Sequence, residues 1–310
     1  MIASNPGTLE TTSRLIPVGP AATADRAGWL CEQLESGHIL FFAETPFELA
    51  QADREFLLSQ RQTDAGYHKN VAYRPHEDRL TGSGRASEED KQRLRAILRD
   101  YSDHATRFLA ELLPAYGQSW RRDFASFRPL EERGRKLRLR ARNDLLHTDA
   151  FPTRPTRGDR ILRIFTNLNP SEPRVWITSE TFESLAQRFA RAAGLPRPTA
   201  SGLAPRLLTA LARTFGVKTP DRSPYDQFML RFHNFLKENG EFQRTCTKQR
   251  WEFPPGSTWV VFTDVVSHAV LAGQFALEQT FIVSRKALAL PHKAPIHILE
   301  KLCGCALTSG

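Results

Sequence analysis

The sequence predicts an α+β protein with an antiparallel β core of barrel or jelly-roll type, helices at the N-terminus and a helical insertion. Two observations predict this fold. Short runs rich in β-branched and aromatic residues fill much of the second half, which is typical of antiparallel strands. The helical patterns precede and separate these runs instead of alternating with them singly, which disfavours a parallel βαβ sheet. With 310 residues, 40% of them hydrophobic, the chain can form one large domain, 1–310.

The first 118 residues are predicted to be mainly helical, because apolar residues recur at helical spacing in the stretches 24–36, 46–60 and 88–113. From Trp120 the period changes to two. The predicted β core occupies 119–180 and 240–290, with strands at 120–128, 136–142, 160–169, 174–179, 258–264, 267–271 and 275–284. The predicted insertion, 181–239, has helices at 181–193, 202–215 and 224–239, divided by stretches rich in Pro, Gly and Thr.

Composition and motifs exclude several classes of protein. No apolar run approaches the roughly 20 residues of a membrane-spanning helix, and the first 20 residues lack a signal-peptide pattern, so we expect a cytoplasmic protein. The four scattered cysteines indicate reduced thiols, and Cys303 and Cys305 are given no role. Phosphate-loop, dinucleotide-binding, α/β-hydrolase and zinc-protease motifs are absent. The net charge of +9 predicts an anionic partner: nucleic acid, an acidic lipid surface or an acidic small substrate.

Two histidines begin an H-x-D triplet, and only one of the two has a structured context. His76-Glu77-Asp78 lies in a polar, irregular stretch and is interpreted as a surface turn. His147-Thr148-Asp149 follows one predicted strand and precedes another, so its backbone is anchored. His104 and His233 lie on predicted amphipathic helices and are interpreted as ordinary structural residues.

An iron site of the 2-His-1-carboxylate type needs a further imidazole from another strand. His268, 119 residues after Asp149, is the best candidate because two short apolar strands meet there and Gly273 permits a tight return. Three ligands on one face leave about three positions of an octahedral Fe(II) for a bidentate oxo-acid and dioxygen. The competing interpretation is that His268 is a buried structural residue bonded to a backbone carbonyl.

The strand after the triplet predicts a polar inner face. Its odd positions include Arg163, Asn167 and Asn169, whereas its even positions are mostly aliphatic. An unpaired guanidinium inside a barrel is costly, so it requires a ligand, water or a counter-charge. A dicarboxylate co-substrate would satisfy it.

These features resemble the Fe(II)/2-oxoglutarate-dependent dioxygenases, whose core is a double-stranded β-helix, the cupin-like jelly roll. More specifically, the whole chain is similar to the Kdo hydroxylase family through the segments 143–155, 162–170 and 267–275. That family hydroxylates C3 of 3-deoxy-D-manno-oct-2-ulosonic acid (Kdo) on its lipid A carrier. The resemblance implies a hydroxylase whose catalytic Fe(II) ligands are His147, Asp149 and His268. It also implies 2-oxoglutarate and O2 as co-substrates, with succinate and CO2 as by-products.

One departure concerns the remote carboxylate of 2-oxoglutarate. Many of these dioxygenases bind it with an arginine about ten residues after the distal histidine, but residues 275–282 contain no cation here. Arg285 is expected to lie well past the metal along its strand. Arg163, on the strand after the triplet, is therefore assigned this carboxylate, with Asn167 and Asn169 as further cofactor-binding residues.

A basic stretch suggests how an anionic acceptor is recognised. Residues 121–142 carry nine Lys/Arg against three acids, and alternation predicts that Lys136, Arg138, Arg140 and Arg142 share one strand face. With Arg154, Arg157 and Arg160 they would form an anion-binding wall for Kdo-lipid A. The alternative is a solvated sheet face. Nucleic acid is not expected, because the nearby aromatic residues alternate poorly with this face.

The C-terminal apolar residues Ile296, Ile298, Leu299, Leu302 and Leu307 suggest peripheral contact with the inner membrane surface, or else a helix packed on the core. Two other functions remain open. One is a 2-oxoglutarate oxygenase acting on a protein or nucleic acid. The other is a non-catalytic basic cupin-like binding protein, which predicts no metal at the triad.

Overall fold

The computed structural model describes residues 14–19, 26–60, 70–84, 86–196 and 222–308. Within these residues the strands form two sheets. The strands are β1 (Leu15–Pro17), β2 (Ile39–Phe42), β3 (Val71–Arg74), β4 (Arg79–Thr81), β5 (Trp120–Arg128), β6 (Arg160–Asn167), β7 (Arg174–Thr181), β8 (Gln249–Phe253), β9 (Thr258–Phe262), β10 (Val266–Ala272) and β11 (Ala276–Val283). The large sheet has the order β1-β2-β9-β6-β11-β5-β3-β4 and the small sheet β10-β7-β8. All pairs except β1 with β2 are antiparallel, and the predicted jelly-roll fold is confirmed.

Helices surround the sheets. They are α1 (Ala27–Glu35), α2 (Gln51–Ser59), α3 (Glu88–Leu112), α4 (Pro114–Gly117), α5 (Phe182–Phe189), α6 (Pro224–Glu238), α7 (Gly240–Thr245) and α8 (Pro295–Cys303). The longest, α3, begins where the Ser87 side chain accepts a hydrogen bond from the Asp90 N–H. Its buried stripe, which includes Leu94, Leu98 and Tyr101, belongs to one apolar cluster with residues of β3 and β5. No helix of the described ranges is long and apolar enough to cross a bilayer.

The centre of the large sheet positions the functional residues. Every residue of β11 is buried, and β11 pairs with β6 from Ala276 opposite Asn167 to Val283 opposite Arg160. At the centre of β6 the odd-numbered residues face inward, as predicted. Arg163 and Phe165 lie on the side of the triplet, where Phe165 contacts Trp176 and Trp259. This face of β6 therefore lines the candidate site.

Two sequence predictions differ from the structure, and a third lies outside the described residues. Residues 136–142 are not a strand; this stretch contains only a short 3-10 turn, Leu139–Ala141. Alternation of Leu and Arg specifies a strand only when one face is buried, and here both Arg138 and Leu139 are exposed. The first 118 residues also supply β1 to β4, which are only three or four residues long. The predicted helix 202–215 lies outside the described residues.

The C-terminal apolar residues do not form a membrane-facing surface. Ile296 and Leu299 are fully buried, and Ile298 and Leu307 nearly so, in the main apolar core. Leu302 is partly buried against the same core. The proposed membrane contact through this segment is therefore wrong, because α8 packs its apolar face inward and contacts α5.

Candidate active site

The H-x-D triplet and the distal histidine lie side by side, as the sequence analysis expected. His147 and His268 form an antiparallel β-bridge: the His147 N–H donates to the His268 carbonyl at 3.1 Å, and the His268 N–H donates to the His147 carbonyl at 2.9 Å. The Asp149 N–H donates to the Thr263 carbonyl at 2.9 Å. Three backbone hydrogen bonds to the β9–β10 region thus hold the triplet. The His147 and His268 ring centroids are 4.8 Å apart.

A third imidazole, that of His233 on α6, also reaches the site. Its ring centroid lies 4.7 Å from that of His147. In all three histidines Nδ1 lies within hydrogen-bonding distance of a backbone carbonyl: His147 with Leu145 at 2.7 Å, His233 with Thr148 at 2.8 Å and His268 with Val266 at 2.9 Å. If each Nδ1 carries the proton and donates, each Nε2 is left as the acceptor that a metal requires.

Burial and nearby charges set the protonation of these groups. Burial lowers the pKa of His147 well below its ordinary value, lowers that of His268, and lowers that of His233 to about 4. Burial alone would raise the pKa of Asp149, but the Arg163 guanidinium and the neighbouring imidazoles hold it well below its usual range. Neutral imidazoles beside an ionised carboxylate are the protonation states in which these side chains bind metals.

The donor set fits a divalent iron site. His147, Asp149 and His233 offer ligand atoms within 4.8 Å of one another, and His147 Nε2 lies 3.6 Å from Asp149 Oδ1. The His268 ring stacks on Trp176, with centroids 5.2 Å apart, so its orientation is fixed. Imidazole and carboxylate ligands without thiolate suit non-heme Fe(II). The group with ligand atoms this close contains His233 and not His268, so the site offers two candidates for the second imidazole of a facial triad.

Next to the triad lies a largely buried group of arginines and acids. Arg163 Nη1 is 3.3 Å from Asp149 Oδ2 and 3.2 Å from Glu278 Oε1, while Arg128 also hydrogen-bonds Glu278. Arg163 Nε and the indole Nε1 of Trp176 are buried without a hydrogen-bond partner among the described residues. Unpaired buried donors beside the candidate metal ligands fit an anionic oxygen-rich co-substrate such as 2-oxoglutarate.

Asn167 and Asn169 are occupied elsewhere. The Asn167 amide donates to the carbonyls of Glu172 and Phe253, and its oxygen accepts from the Asn169 N–H. Asn169 in turn accepts from Ser171 and Glu172 N–H groups. These two side chains therefore shape the turn after β6, and their predicted contact with the co-substrate is not supported. The side chain of Arg285 hydrogen-bonds Thr308.

The predicted anion-binding wall is only partly present on the surface. Arg160 is fully buried and paired with Asp264 at 2.9 Å, so its prediction as an acceptor-binding residue is wrong. Burial among apolar residues requires that counter-charge, which the sequence pattern around Arg160 alone did not reveal. Arg140 and Arg142 are paired with Glu238 and Asp144.

Arg154 is linked to Arg163, the cation beside the triad, through the Phe151 ring that both contact. The Arg154 guanidinium lies 4.0 Å from the ring centroids of both Phe124 and Phe151. The Arg163 guanidinium lies 5.3 Å from the centroid of the same Phe151 ring. Arg154 also pairs with Asp123. Arg157 is exposed on the following loop.

The sequence pattern predicted only a structural role for His233 and did not indicate Trp176 or Glu278 as site residues. His233 meets Thr148 across 85 residues only because α6 packs over the triplet, and no local spacing encodes that contact. Glu278 and Trp176 occur in apolar strand runs. A charged residue inside a fully buried strand, as at Glu278, is the one signal that could have indicated a site.

Comparisons with known proteins agree with this geometry. The sequence profile of a family described as 3-deoxy-D-manno-oct-2-ulosonic acid (Kdo) hydroxylase matches residues 18–306. The solved Kdo hydroxylase KdoO, a non-heme Fe(II) α-ketoglutarate-dependent dioxygenase in complex with α-ketoglutarate and Fe(III), is 37% identical, with a TM-score of 0.80 over 95% of this chain and 97% of that chain. Its cobalt(II) complex is also 37% identical, with a TM-score of 0.82 over 96% and 98%. No curated protein matches.

Proposed function

The chain belongs to the Kdo hydroxylase family, and from that membership we propose that it is an Fe(II)/2-oxoglutarate-dependent dioxygenase that hydroxylates C3 of Kdo on Kdo-lipid A. The observation that carries the proposal is the β-bridge between His147 and His268, with Asp149 beside them. The arrangement supports His147, Asp149 and His268 as the iron ligands.

The chain's own residues orient the ligands and co-substrate. The carbonyls of Leu145 and Val266 fix the His147 and His268 rings. Arg163 is proposed to bind the remote carboxylate of 2-oxoglutarate, since it is a largely buried cation within 3.3 Å of a metal ligand. When bound, Fe(II) couples decarboxylation of 2-oxoglutarate to succinate with insertion of one oxygen atom of O2 into the substrate C–H bond. Burial of all three ligands keeps bulk water from the site.

The acceptor is proposed to meet two solvent-accessible cations, the partly buried Arg154 and the exposed Arg157. Arg154 contacts the Phe124 and Phe151 rings, shares the Phe151 ring with Arg163, and suits the Kdo carboxylate. Arg157 on the next loop is suited to a second anionic group. The proposed location is the cytoplasm, with peripheral contact at the inner membrane, where a lipid-linked acceptor is accessible.

Acceptor-stimulated succinate formation tests the function. Protein loaded anaerobically with Fe(II) and 2-oxoglutarate is exposed to O2 with Kdo-lipid A, with lipid A lacking Kdo, with RNA or with an acidic protein. We expect Kdo-lipid A alone to increase succinate in parallel with a product heavier by one oxygen atom. Stimulation by RNA or protein instead would indicate a different oxygenase, and the absence of both iron binding and succinate would indicate a binding protein.

A further inference from the structure

The segment Arg133–Arg142, here called the cationic rim, concentrates positive charge on the surface. It contains six Lys/Arg and no acid. Three of these cations pair with acids outside the rim: Arg135 with Glu132, Arg140 with Glu238 and Arg142 with Asp144. The other three, Arg133, Lys136 and Arg138, are exposed and make no ion pair within the described ranges.

The rim also carries an exposed aliphatic side chain. Leu139, between Arg138 and Arg140, is 46% exposed, and only one other large apolar side chain of the described residues, Trp29, is comparably exposed. Leu139 begins the 3-10 turn Leu139–Ala141. Leu139 belongs to neither apolar cluster of the core and has a cation on each side in the sequence.

The rim is attached to the active-site elements. Lys237 Nζ donates to the Arg140 carbonyl at 3.1 Å, and Lys237 lies on α6, the helix that carries His233. The chain continues from Arg142 through Asn143, whose carbonyl accepts from the Val270 N–H at 2.8 Å, to the triplet at His147. The rim is therefore attached to two elements of the candidate metal centre, α6 and the segment that leads to the triplet.

We propose that the cationic rim docks the protein on an anionic phospholipid bilayer, with Leu139 entering the headgroup region. The proposal rests on the proposed function, because a lipid-linked acceptor presents its sugar at such a surface. Cations around an aliphatic tip match the phosphate layer of a bilayer above its hydrocarbon edge. Single-stranded nucleic acid is disfavoured because the rim has no aromatic side chain on which bases stack.

Vesicle sedimentation tests the docking surface. Vesicles of phosphatidylcholine alone are compared with vesicles containing phosphatidylglycerol, using the wild type, Lys136→Gln/Arg138→Gln and Leu139→Ser. A charge-matched control, Arg107→Gln/Lys248→Gln, removes two exposed cations from other elements. We expect the rim double variant to bind anionic vesicles about 30-fold more weakly at low salt. Leu139→Ser should weaken binding by roughly tenfold, and the control by less than threefold.

The outcomes distinguish this proposal from the proposed function. Equal vesicle binding by the rim variants and the wild type, or wild-type binding that does not depend on phosphatidylglycerol, overturns the docking surface. Binding of an RNA oligonucleotide that is lost in the rim variants, without vesicle binding, reassigns the rim to nucleic acid. Rim-dependent vesicle binding without succinate formation from Kdo-lipid A supports docking and refutes the proposed acceptor. Urea unfolding of each variant confirms that the fold is intact.

Discussion

Replacing Arg163 by Met should weaken 2-oxoglutarate binding. The Arg163 side chain is only 12% exposed and lies 3.3 Å from Asp149 Oδ2 and 3.2 Å from Glu278 Oε1, so little water screens its charge. Loss of a charge-assisted bidentate pair at such a site costs on the order of 2 to 5 kcal/mol, much of it from leaving a buried carboxylate unpaired. The dissociation constant should therefore rise by a factor of roughly 30 to several thousand.

Anaerobic calorimetric titration of 2-oxoglutarate into Fe(II)-loaded protein measures this change. Arg163→Lys keeps the charge but loses the planar fork, so it should fall between Met and wild type. Arg285→Met is the matched control, because the Arg285 side chain hydrogen-bonds Thr308 and should leave the affinity unchanged. Wild-type affinity in Arg163→Met, or an equal loss in Arg285→Met, would refute the assignment. A loss confined to Arg128→Met would transfer the role to the other arginine on Glu278.

Two stability predictions follow from buried geometry. Asp264→Asn should lower the free energy of unfolding by about 3 to 5 kcal/mol, because it leaves the fully buried Arg160 without its counter-charge; urea denaturation measures this, and a loss under 1 kcal/mol would contradict it. Gly273→Ala should cost about 1 to 3 kcal/mol or more, since φ is +122° and a Cβ would lie 2.8 Å from Arg174 Cγ and 2.9 Å from its Cα. Gly256→Ala, at φ +77° with no atom within 4 Å of the added Cβ, should cost only about 1 kcal/mol, and equal losses at both glycines would rule out the clash.

Local sequence patterns were sufficient to predict the longer strands of the core, the H-x-D triplet and His268. The strands β6, β7, β9, β10 and β11 are long enough and rich enough in β-branched residues for their patterns to be recognised. His147 and Asp149 were identified because the triplet precedes β6 and follows a predicted strand, 136–142, although that stretch is not a strand in the structure. His268 was identified because apolar strand patterns flank it, and an isolated β-bridge between His147 and His268 brings the two parts of the chain together.

Long-range packing explains what the sequence did not predict. His233 reaches the site through helix packing, and Arg160 owes its burial to Asp264, a partner 104 residues away. The rim around Leu139 shows the opposite error. Its alternation matches a strand in period, but no neighbouring strand buries its apolar side, so the backbone forms a 3-10 turn instead.

Metal binding to single-residue variants tests the central claim most directly. Anaerobic Fe(II) titration, followed by calorimetry, compares wild type with Ala variants of His147, Asp149, His268, His233 and the control His76. We predict that the Ala variants of His147, Asp149 and His268 each weaken Fe(II) binding at least tenfold, because each removes a proposed iron ligand. His76→Ala should bind as wild type, and His233→Ala should retain binding within about threefold. Wild-type affinity in His268→Ala together with loss in His233→Ala would contradict the account and make His233 the third ligand.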